Sequence, residues 1–133
     1  MSQENVEVVR AVFEAWERGG VDAVAEFWHP EIDWRAAKGA LDDVGVMCGV
    51  DAMRAYMNDW LANFDDVHVE AEELIDAGDE VVAMQRVTAR GKGSGVETEL
   101  RYAVVNTIRD GKVVRGREYW TRAEALDAVG LSE

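Results

Sequence analysis

The chain has 133 residues, of which 48% are hydrophobic, and its 14 Lys and Arg against 27 Asp and Glu give a formal net charge of −13. This length and hydrophobic content suit a single domain, residues 1–133, built on one core. The acidic balance argues against nucleic acid and anionic membranes as partners, because both repel a negatively charged protein.

The N-terminus and the cysteine content predict a cytoplasmic location. The segment "MSQENVEVVR" lacks the basic and apolar regions of a leader, and no run of about 18 apolar residues predicts a membrane span. The single Cys48 cannot form an internal disulfide, which fits a reducing compartment.

Apolar residues at helical spacing predict helices in the first half of the chain. Residues 4–20 predict a helix that ends at a glycine pair. A second, shorter helix is predicted over 21–28, where it stops before Pro30. A third helix, capped by Asp51, is predicted over 51–64 from a full apolar stripe.

The second half of the chain changes to period-two alternation, which is typical of strands. Residues 67–91 predict two strands joined at "DAGDE", and 96–120 predict a long strand, an Asp-Gly hairpin and a final strand. A capping box of Thr121 and Glu124 begins a last short helix that Gly130 closes. Helices followed by an antiparallel meander indicate an α+β domain.

No motif in the sequence predicts a metal site or a bound cofactor. His29 and His68 lie far apart, and Cys48 joins no cluster with ligand spacing. The segment "GKGSG" lies between predicted strands, so it indicates a hairpin turn and not a phosphate-binding loop.

Three segments carry a resemblance to a known family. "FEAWERGGVDAVAEFWHPEIDW", "GVDAMRAYM" and "TIRDGKVVRGREYWTRAEALDAVGL" resemble the nuclear transport factor 2-like superfamily, and within it the SnoaL-like (polyketide cyclase-like) and ketosteroid isomerase-like proteins. The resemblance implies a cone-shaped domain in which three N-terminal helices pack in a strongly curved, mainly antiparallel sheet that encloses a pocket. It also implies a homodimer formed through the sheet. The superfamily contains isomerases, cyclases, hydrolases, dehydratases and non-catalytic binders, so it leaves the function open.

Carried over to this sequence, the ketosteroid isomerase pattern is incomplete. Those enzymes use an Asp base, with a Tyr and a protonated Asp as the oxyanion hole. The matching positions are Val12 for the Tyr, Arg35 for the base and Asn106 for the protonated Asp. Asn106 can still donate a hydrogen bond, but no base remains, so ketosteroid isomerase activity is not expected.

The limonene-epoxide-hydrolase branch, which uses an Asp–Arg–Asp set, matches differently. "QRVTA" resembles its first catalytic strand and gives Arg86 and Thr88, and "GREYW" resembles its last strand and gives Glu118. The first acid is thus replaced by Thr88, and Asp33 is a candidate substitute base. The resemblance therefore implies Glu118, Arg86 and Asp33 as catalytic residues.

Strand alternation then gives Glu118 an expected environment. Glu118 shares a strand face with Gly116 and Trp120, and Arg86 shares one with Thr88. A buried carboxylate needs a partner, so we expect Glu118 to face the pocket in an ion pair with Arg86. The alternative is that Glu118 only balances Arg86, or faces solvent.

Further residues are candidates for contact with a ligand. Arg35 begins the aperiodic segment 35–49, which could cover a site, or it is a solvated loop residue. Asn106 shares an otherwise apolar strand face with Tyr102, so it is expected at the pocket. The complete set of predicted ligand contacts is Arg35, Asn106, Thr88, Trp34, Trp60, Tyr102 and Trp120.

Three functions remain open from the sequence. The first is a cofactor-independent hydrolase, cyclase or isomerase that acts on a small apolar substrate through Glu118 and Arg86. The second is a non-catalytic binder of an apolar carboxylic acid, held by arginines. The third is a dimeric interaction module with a vestigial pocket. Whether Asp33 reaches the pocket separates the first from the second.

Overall fold

The alternating segments of the second half of the chain form most of a six-stranded sheet. The computed structural model describes residues 2–37 and 46–131. Its helices are α1 (Ser2–Ala25), α2 (Val50–Leu61) and α3 (Arg122–Ala128), and its strands are β1 (Trp28–Arg35), β2 (Val46–Cys48), β3 (Phe64–Ala77), β4 (Glu80–Gly91), β5 (Glu97–Arg109) and β6 (Lys112–Tyr119). The sheet order is β2-β1-β6-β5-β4-β3. Only the β1–β6 pair is parallel among these strands. The predicted α+β class is confirmed.

The first two predicted helices form one kinked element. Gly20 has φ 64° and ψ −147°, a conformation that glycine adopts without a Cβ penalty, and the helix changes direction there. The helix ends at Ala25 and the chain enters β1 at Trp28, so the predicted helix over 21–28 is too long. Proline favours an extended residue before it, and Pro30 lies inside this strand.

The ends of the other two helices differ in how well the sequence predicts them. The cap of α2 is Gly49 and makes no side-chain hydrogen bond, so the predicted Asp51 cap is wrong; Asp51 lies in the first turn, where its charge complements the helix dipole. The predicted Thr121 cap of α3 is confirmed, because Thr121 Oγ1 accepts a hydrogen bond of 3.1 Å from the Glu124 backbone N–H. The Glu124 carboxylate accepts a hydrogen bond of 3.0 Å from the Thr121 hydroxyl.

Helices cover both faces of the central strands. Helices α1 and α2 pack on the inner face, where Val81 and Ala83 join the main core. Helix α3 packs on the outer face, where its Ala125 lies against Val82 and Val105. The apolar residues on both faces of β4 therefore have partners within the chain. No helix in the described ranges is both long and apolar enough to cross a bilayer.

Candidate functional site

A cavity of about 170 Å³ lies between the inner face of the sheet and helices α1 and α2. All five tryptophans of the chain line it, namely Trp16, Trp28, Trp34, Trp60 and Trp120. The predicted contacts Trp34, Trp60 and Trp120 thus line one cavity, although Trp34 lies in β1, Trp60 lies in α2 and Trp120 directly follows β6. The wall is mainly aromatic and aliphatic, as in sites for small apolar molecules.

A few polar side chains interrupt this apolar wall. Among the described lining residues Glu118 is the only charged one, and the uncharged polar ones include Gln85, Asn106, Tyr56 and Tyr102. Gln85 Nε2 donates a hydrogen bond of 3.2 Å to the Tyr102 hydroxyl. The cavity therefore combines one carboxylate with neutral hydrogen-bonding groups.

Both carboxylate oxygens of Glu118 accept hydrogen bonds from the segment that contains the end of β1. Trp34 Nε1 donates to Oε2 at 2.9 Å, and the Ala37 backbone N–H donates to Oε1 at 3.3 Å. Hydrogen bonds donated to a carboxylate stabilise its ionised form. Glu118 is therefore held as an acceptor, which is the state that can take up a proton.

The position of the Trp34 ring depends on a glycine in the neighbouring strand. Trp34 and Gly116 are partners in the β1–β6 register. A Cβ added to Gly116 would lie only 2.0 Å from Trp34 Cε3. The indole ring thus occupies the space that any other residue at 116 would fill.

A bulge modifies the predicted alternation of β6. Thr107 pairs with Arg115 while Ile108 pairs with Val113, so Val114 is an extra residue. Val113 therefore lines the cavity although its position has the opposite parity to that of Glu118. Residues of β6 before the bulge therefore face the side of the sheet opposite to the predicted one. The predicted alternation holds only for the residues after the bulge.

Arg86 lies on the other side of the sheet from Glu118. Gln85 and Val87 line the cavity, and Arg86 between them points outward, where Nη1 lies 2.8 Å from Glu70 and Nη2 lies 2.9 Å from Glu99. The predicted Arg86–Glu118 pair is therefore wrong. Thr88 accompanies Arg86 in an outer depression and does not line the cavity.

Asp33 and Arg35 also lie away from the cavity. They alternate with Trp34 along β1, so they occupy the opposite face. Asp33 Oδ1 lies 2.9 Å from Arg117 Nη1, and Arg35 is exposed. The described cavity wall thus holds neither the predicted second acid nor an arginine. Most of the predicted cover segment, residues 38–45, lies outside the described residues.

Asn106 lies on the cavity wall as expected, and its backbone neighbours fix the orientation of its amide. Its side chain is buried, and Nδ2 donates to the carbonyl oxygens of Val81 and Val104, each at 3.4 Å. Because both neighbours are acceptors, the NH2 group must point toward them. The sequence pattern does not predict Gln85 or the Ala37 N–H as parts of the site, because it favours the opposite parity for the inner face of β4 and does not predict β1.

The outer face instead carries ion pairs that connect β3, β4, β5 and α3. A hydrogen bond from Arg86 lowers the pKa of Glu99, and one from Arg122 lowers the pKa of Glu73. These pairs lie in solvent, where an ion pair contributes little to stability.

This exposure predicts a small effect for the substitution Arg86→Ala. The arginine side chain is 34% exposed, and its partners Glu70 and Glu99 remain hydrated when it is removed. We expect the Tm to stay within about 2 °C of the wild-type value in differential scanning calorimetry. A much larger decrease would mean that Arg86 supports a buried charge after all.

The Glu73–Arg122 pair predicts a small acid-dependent term in stability. The folded pKa of Glu73 lies below its unfolded value, so its contribution is complete above the unfolded pKa and is lost as the pH falls through the folded pKa. Since Glu73 is 46% exposed, the term is below about 1 kcal/mol after screening. Urea unfolding at pH 7 and pH 3 should show a smaller loss for Glu73→Gln than for wild type, while Glu17→Gln on the exposed face of α1 behaves as wild type.

Comparison with known proteins agrees with this architecture. The sequence profile of the SnoaL-like domain matches residues 9–116. A nuclear transport factor 2-like protein of unknown function from Burkholderia pseudomallei K96243 has a TM-score of 0.77 at 19% identity, over 95% of this chain and 97% of that one.

Two further solved structures share the fold. A hypothetical protein with a ketosteroid isomerase-like fold from Catenulispora acidiphila DSM 44928, in complex with trimethylamine, has a TM-score of 0.72 at 21% identity, over 94% and 93% of the two chains. A protein assigned as a SnoaL-like polyketide cyclase from Jannaschia sp. CCS1 has a TM-score of 0.73 at 24% identity, over 87% and 84%. No functionally curated protein matches the sequence. The profile match over most of the chain establishes that this protein belongs to the SnoaL-like domain family.

Proposed function

We propose that this SnoaL-like protein binds a small, largely apolar molecule in the cavity and transfers a proton with Glu118 as its single acid–base group. The observation that carries the proposal is the Glu118 carboxylate in a tryptophan-lined cavity, with both oxygens held by N–H donors. A carboxylate in this position can abstract a proton from a bound molecule, because each oxygen has a second lone pair besides the one that accepts the N–H.

One carboxylate is enough for an isomerisation or for a cyclisation that proceeds through an enolate. Glu118 takes the proton from a carbon next to a carbonyl group, and the electron pair of the broken C–H bond moves to the carbonyl oxygen. In an isomerisation, Glu118 then returns the proton to another carbon of the enolate. In a cyclisation, the enolate carbon attacks a second carbonyl group, a C–C bond forms as the C=O π bond opens, and the resulting alkoxide takes the proton back from Glu118. Tyr102 from β5 and Tyr56 from α2, which also line the cavity, are the donors that we assign to the carbonyl oxygen.

The two-carboxylate hydrolysis of an epoxide has less support. That reaction needs one acid to deprotonate water and another to protonate the epoxide oxygen. Asp33 pairs with Arg117 on the opposite face of β1, so the described wall supplies only Glu118. Proton transfer therefore fits the geometry better than hydrolysis.

The size and charge of the cavity restrict the substrate. Its volume of about 170 Å³ is below the roughly 300 Å³ at which typical ligand pockets begin, so a molecule smaller than a steroid is favoured. Neither Arg86 nor Arg35 lies on the wall, and Glu118 would repel an anion. A neutral ketone or aromatic molecule thus fits better than the apolar carboxylic acid considered above.

A homodimer through the sheet stays a prediction. The outer apolar residues around Val82 already pack against α3, and ion pairs cover the neighbouring part of that face. A homodimer formed through this face would bury charged side chains and not a continuous apolar surface.

A thermal-shift screen tests the proposed site. The panel contains small ketones, aromatic polyketide-like molecules, terpene epoxides, steroid ketones and apolar carboxylic acids. A ligand that binds only the folded state adds about 2.7 kcal/mol at a hundred times its Kd. We expect shifts from small neutral ketones or aromatics, and none from the carboxylic acids.

Two variants make the screen specific for the cavity. Val69→Phe places a larger side chain in the cavity and should abolish the ligand-induced thermal shifts. Arg86→Ala changes only the outer face of the sheet and should preserve them. Thermal shifts that survive Val69→Phe would place the ligand outside the cavity. Thermal shifts given only by carboxylic acids would contradict the expectation that Glu118 repels anions.

A further inference from the structure

We propose that Trp34 and Gly116 are positioning residues that hold the Glu118 carboxylate as a hydrogen-bond acceptor aimed into the cavity. The proposal adds to the proposed function two residues that do not themselves exchange a proton. It rests on that function only in taking Glu118 as the acid–base group.

Gly116 is required by the space that the Trp34 ring occupies. The ideal Cβ position of Gly116 lies within 2.5 Å of three ring atoms of Trp34, Cε3, Cζ3 and Cδ2. Real Cβ atoms do not approach other atoms this closely, so any side chain at 116 must displace the indole. Gly116 thus gives Trp34 its place, and its own φ lies outside the left-handed region, so backbone conformation does not explain the glycine.

The indole has a defined hydrogen-bond partner. From its place over Gly116, Trp34 reaches with Nε1 to Glu118 Oε2 at 2.9 Å. The backbone of Trp34 is fixed from both sides, because it pairs with Met47 in β2 and with Gly116 in β6. A donor on such a rigid support determines the orientation of the carboxylate and does not adapt to it.

Both donors belong to one short segment. Ala37, which donates to Oε1, follows Trp34 by three residues and is buried. A displacement of the Trp34 ring by a new side chain at 116 therefore disturbs the segment that holds both oxygens. The arrangement favours the ionised carboxylate, since each donor stabilises negative charge.

Few other groups on the described wall titrate near Glu118. Apart from Glu118, the described cavity lining contains no carboxylate, imidazole or basic side chain, and its other titratable side chains are Tyr56 and Tyr102. The strands beside β6 contribute only uncharged residues to the described cavity lining, namely Trp28 and Trp34 from β1 and Leu100, Tyr102 and Asn106 from β5. A protonation event seen at the Trp34 indole in acid thus reports on Glu118.

NMR of the ligand-free protein tests the proposal. The indole N–H signal of Trp34, assigned by its absence in Trp34→Phe, should shift with a single midpoint as the pH is lowered. The shift should vanish in Glu118→Gln. In a ¹³C titration of the Glu118 carboxyl, Trp34→Phe should raise the midpoint, because one donor to the carboxylate is lost.

Two further variants separate positioning from general packing. Gly116→Ala should raise the midpoint although the indole donor is still present, whereas Trp60→Phe, an equal loss of ring size elsewhere on the wall, should leave it unchanged. If Gly116→Ala does not fold, the midpoints of Glu118 in Trp34→Phe and Trp60→Phe still test the proposal. Equal midpoints in wild type and Trp34→Phe would overturn the proposal.

The result is independent of the search for a substrate. A moved midpoint with no ligand in the thermal-shift screen would support the positioning role and count against the proposed function. A substrate that is turned over equally by wild type and Trp34→Phe, with unchanged midpoints, would support the function and refute the positioning role.

Discussion

Replacing Glu118 by Gln is expected to reduce turnover of any substrate found in the screen by about 10²–10⁴-fold, the usual contribution of a general acid–base residue. The amide keeps the shape of the side chain but cannot accept a proton at neutral pH. The described cavity wall contains no second carboxylate, so none of its groups can replace Glu118. Steady-state kinetics give the effect, which should fall on kcat, while thermal shifts show that the ligand still binds.

The same substitution also has a structural cost. One of the two donors, Trp34 Nε1 or the Ala37 N–H, would face the new NH2 group, and an unsatisfied buried donor costs about 1–3 kcal/mol. Glu99→Gln on the outer face is the matched control and should affect neither turnover nor binding. Unchanged kcat in Glu118→Gln would remove this residue from the mechanism.

Replacing Gly116 by Ala should destabilise the fold by about 1–3 kcal/mol, the usual cost of overpacking a filled site. The new methyl group collides with the ring of Trp34, which cannot withdraw far because β1 is paired on both sides. At about 4 °C per kcal/mol, calorimetry should record a clear decrease in Tm.

A neighbouring substitution provides the control for Gly116→Ala. Arg115 precedes it on β6 and is exposed, so Arg115→Ala removes a side chain from the same strand without entering the cavity. Its Tm should stay close to that of wild type. An equally stable Gly116→Ala variant would mean that the indole has room to move, and the steric argument would fail.

The sequence predicts the strands well where partners follow one another along the chain. Segments 67–91 and 96–120 alternate between turn signals, and they form β3 to β6. The strand β1 was not predicted, because its main partner β6 is parallel and lies far along the chain, with no hairpin turn to indicate the pairing.

Alternation alone did not reveal which face of β4 is inside. Both faces are apolar, because α3 covers Val82 on the outside while α1 and α2 cover Val81 and Ala83 on the inside. Arg86 was therefore assigned to the wrong face. Glu118 was assigned correctly because it lies after the bulge in β6 and shares its face with Gly116 and Trp120.

The hydrogen-bond partner of Glu118 could not be predicted from alternation. It depends on the register between Trp34 and Gly116, a long-range parallel pairing that local patterns do not fix. A glycine within an otherwise bulky strand was the available signal, since it often marks a close approach of another group.

The gathering of all five tryptophans around one cavity also has an optical consequence. Every indole emitter of the chain lies beside the same small volume, so intrinsic fluorescence reports on the cavity with no contribution from a distant tryptophan. A molecule that enters displaces solvent near these rings and can quench them directly. Affinity, entry rate and the occupancy of the site could thus be followed in the native protein without a label.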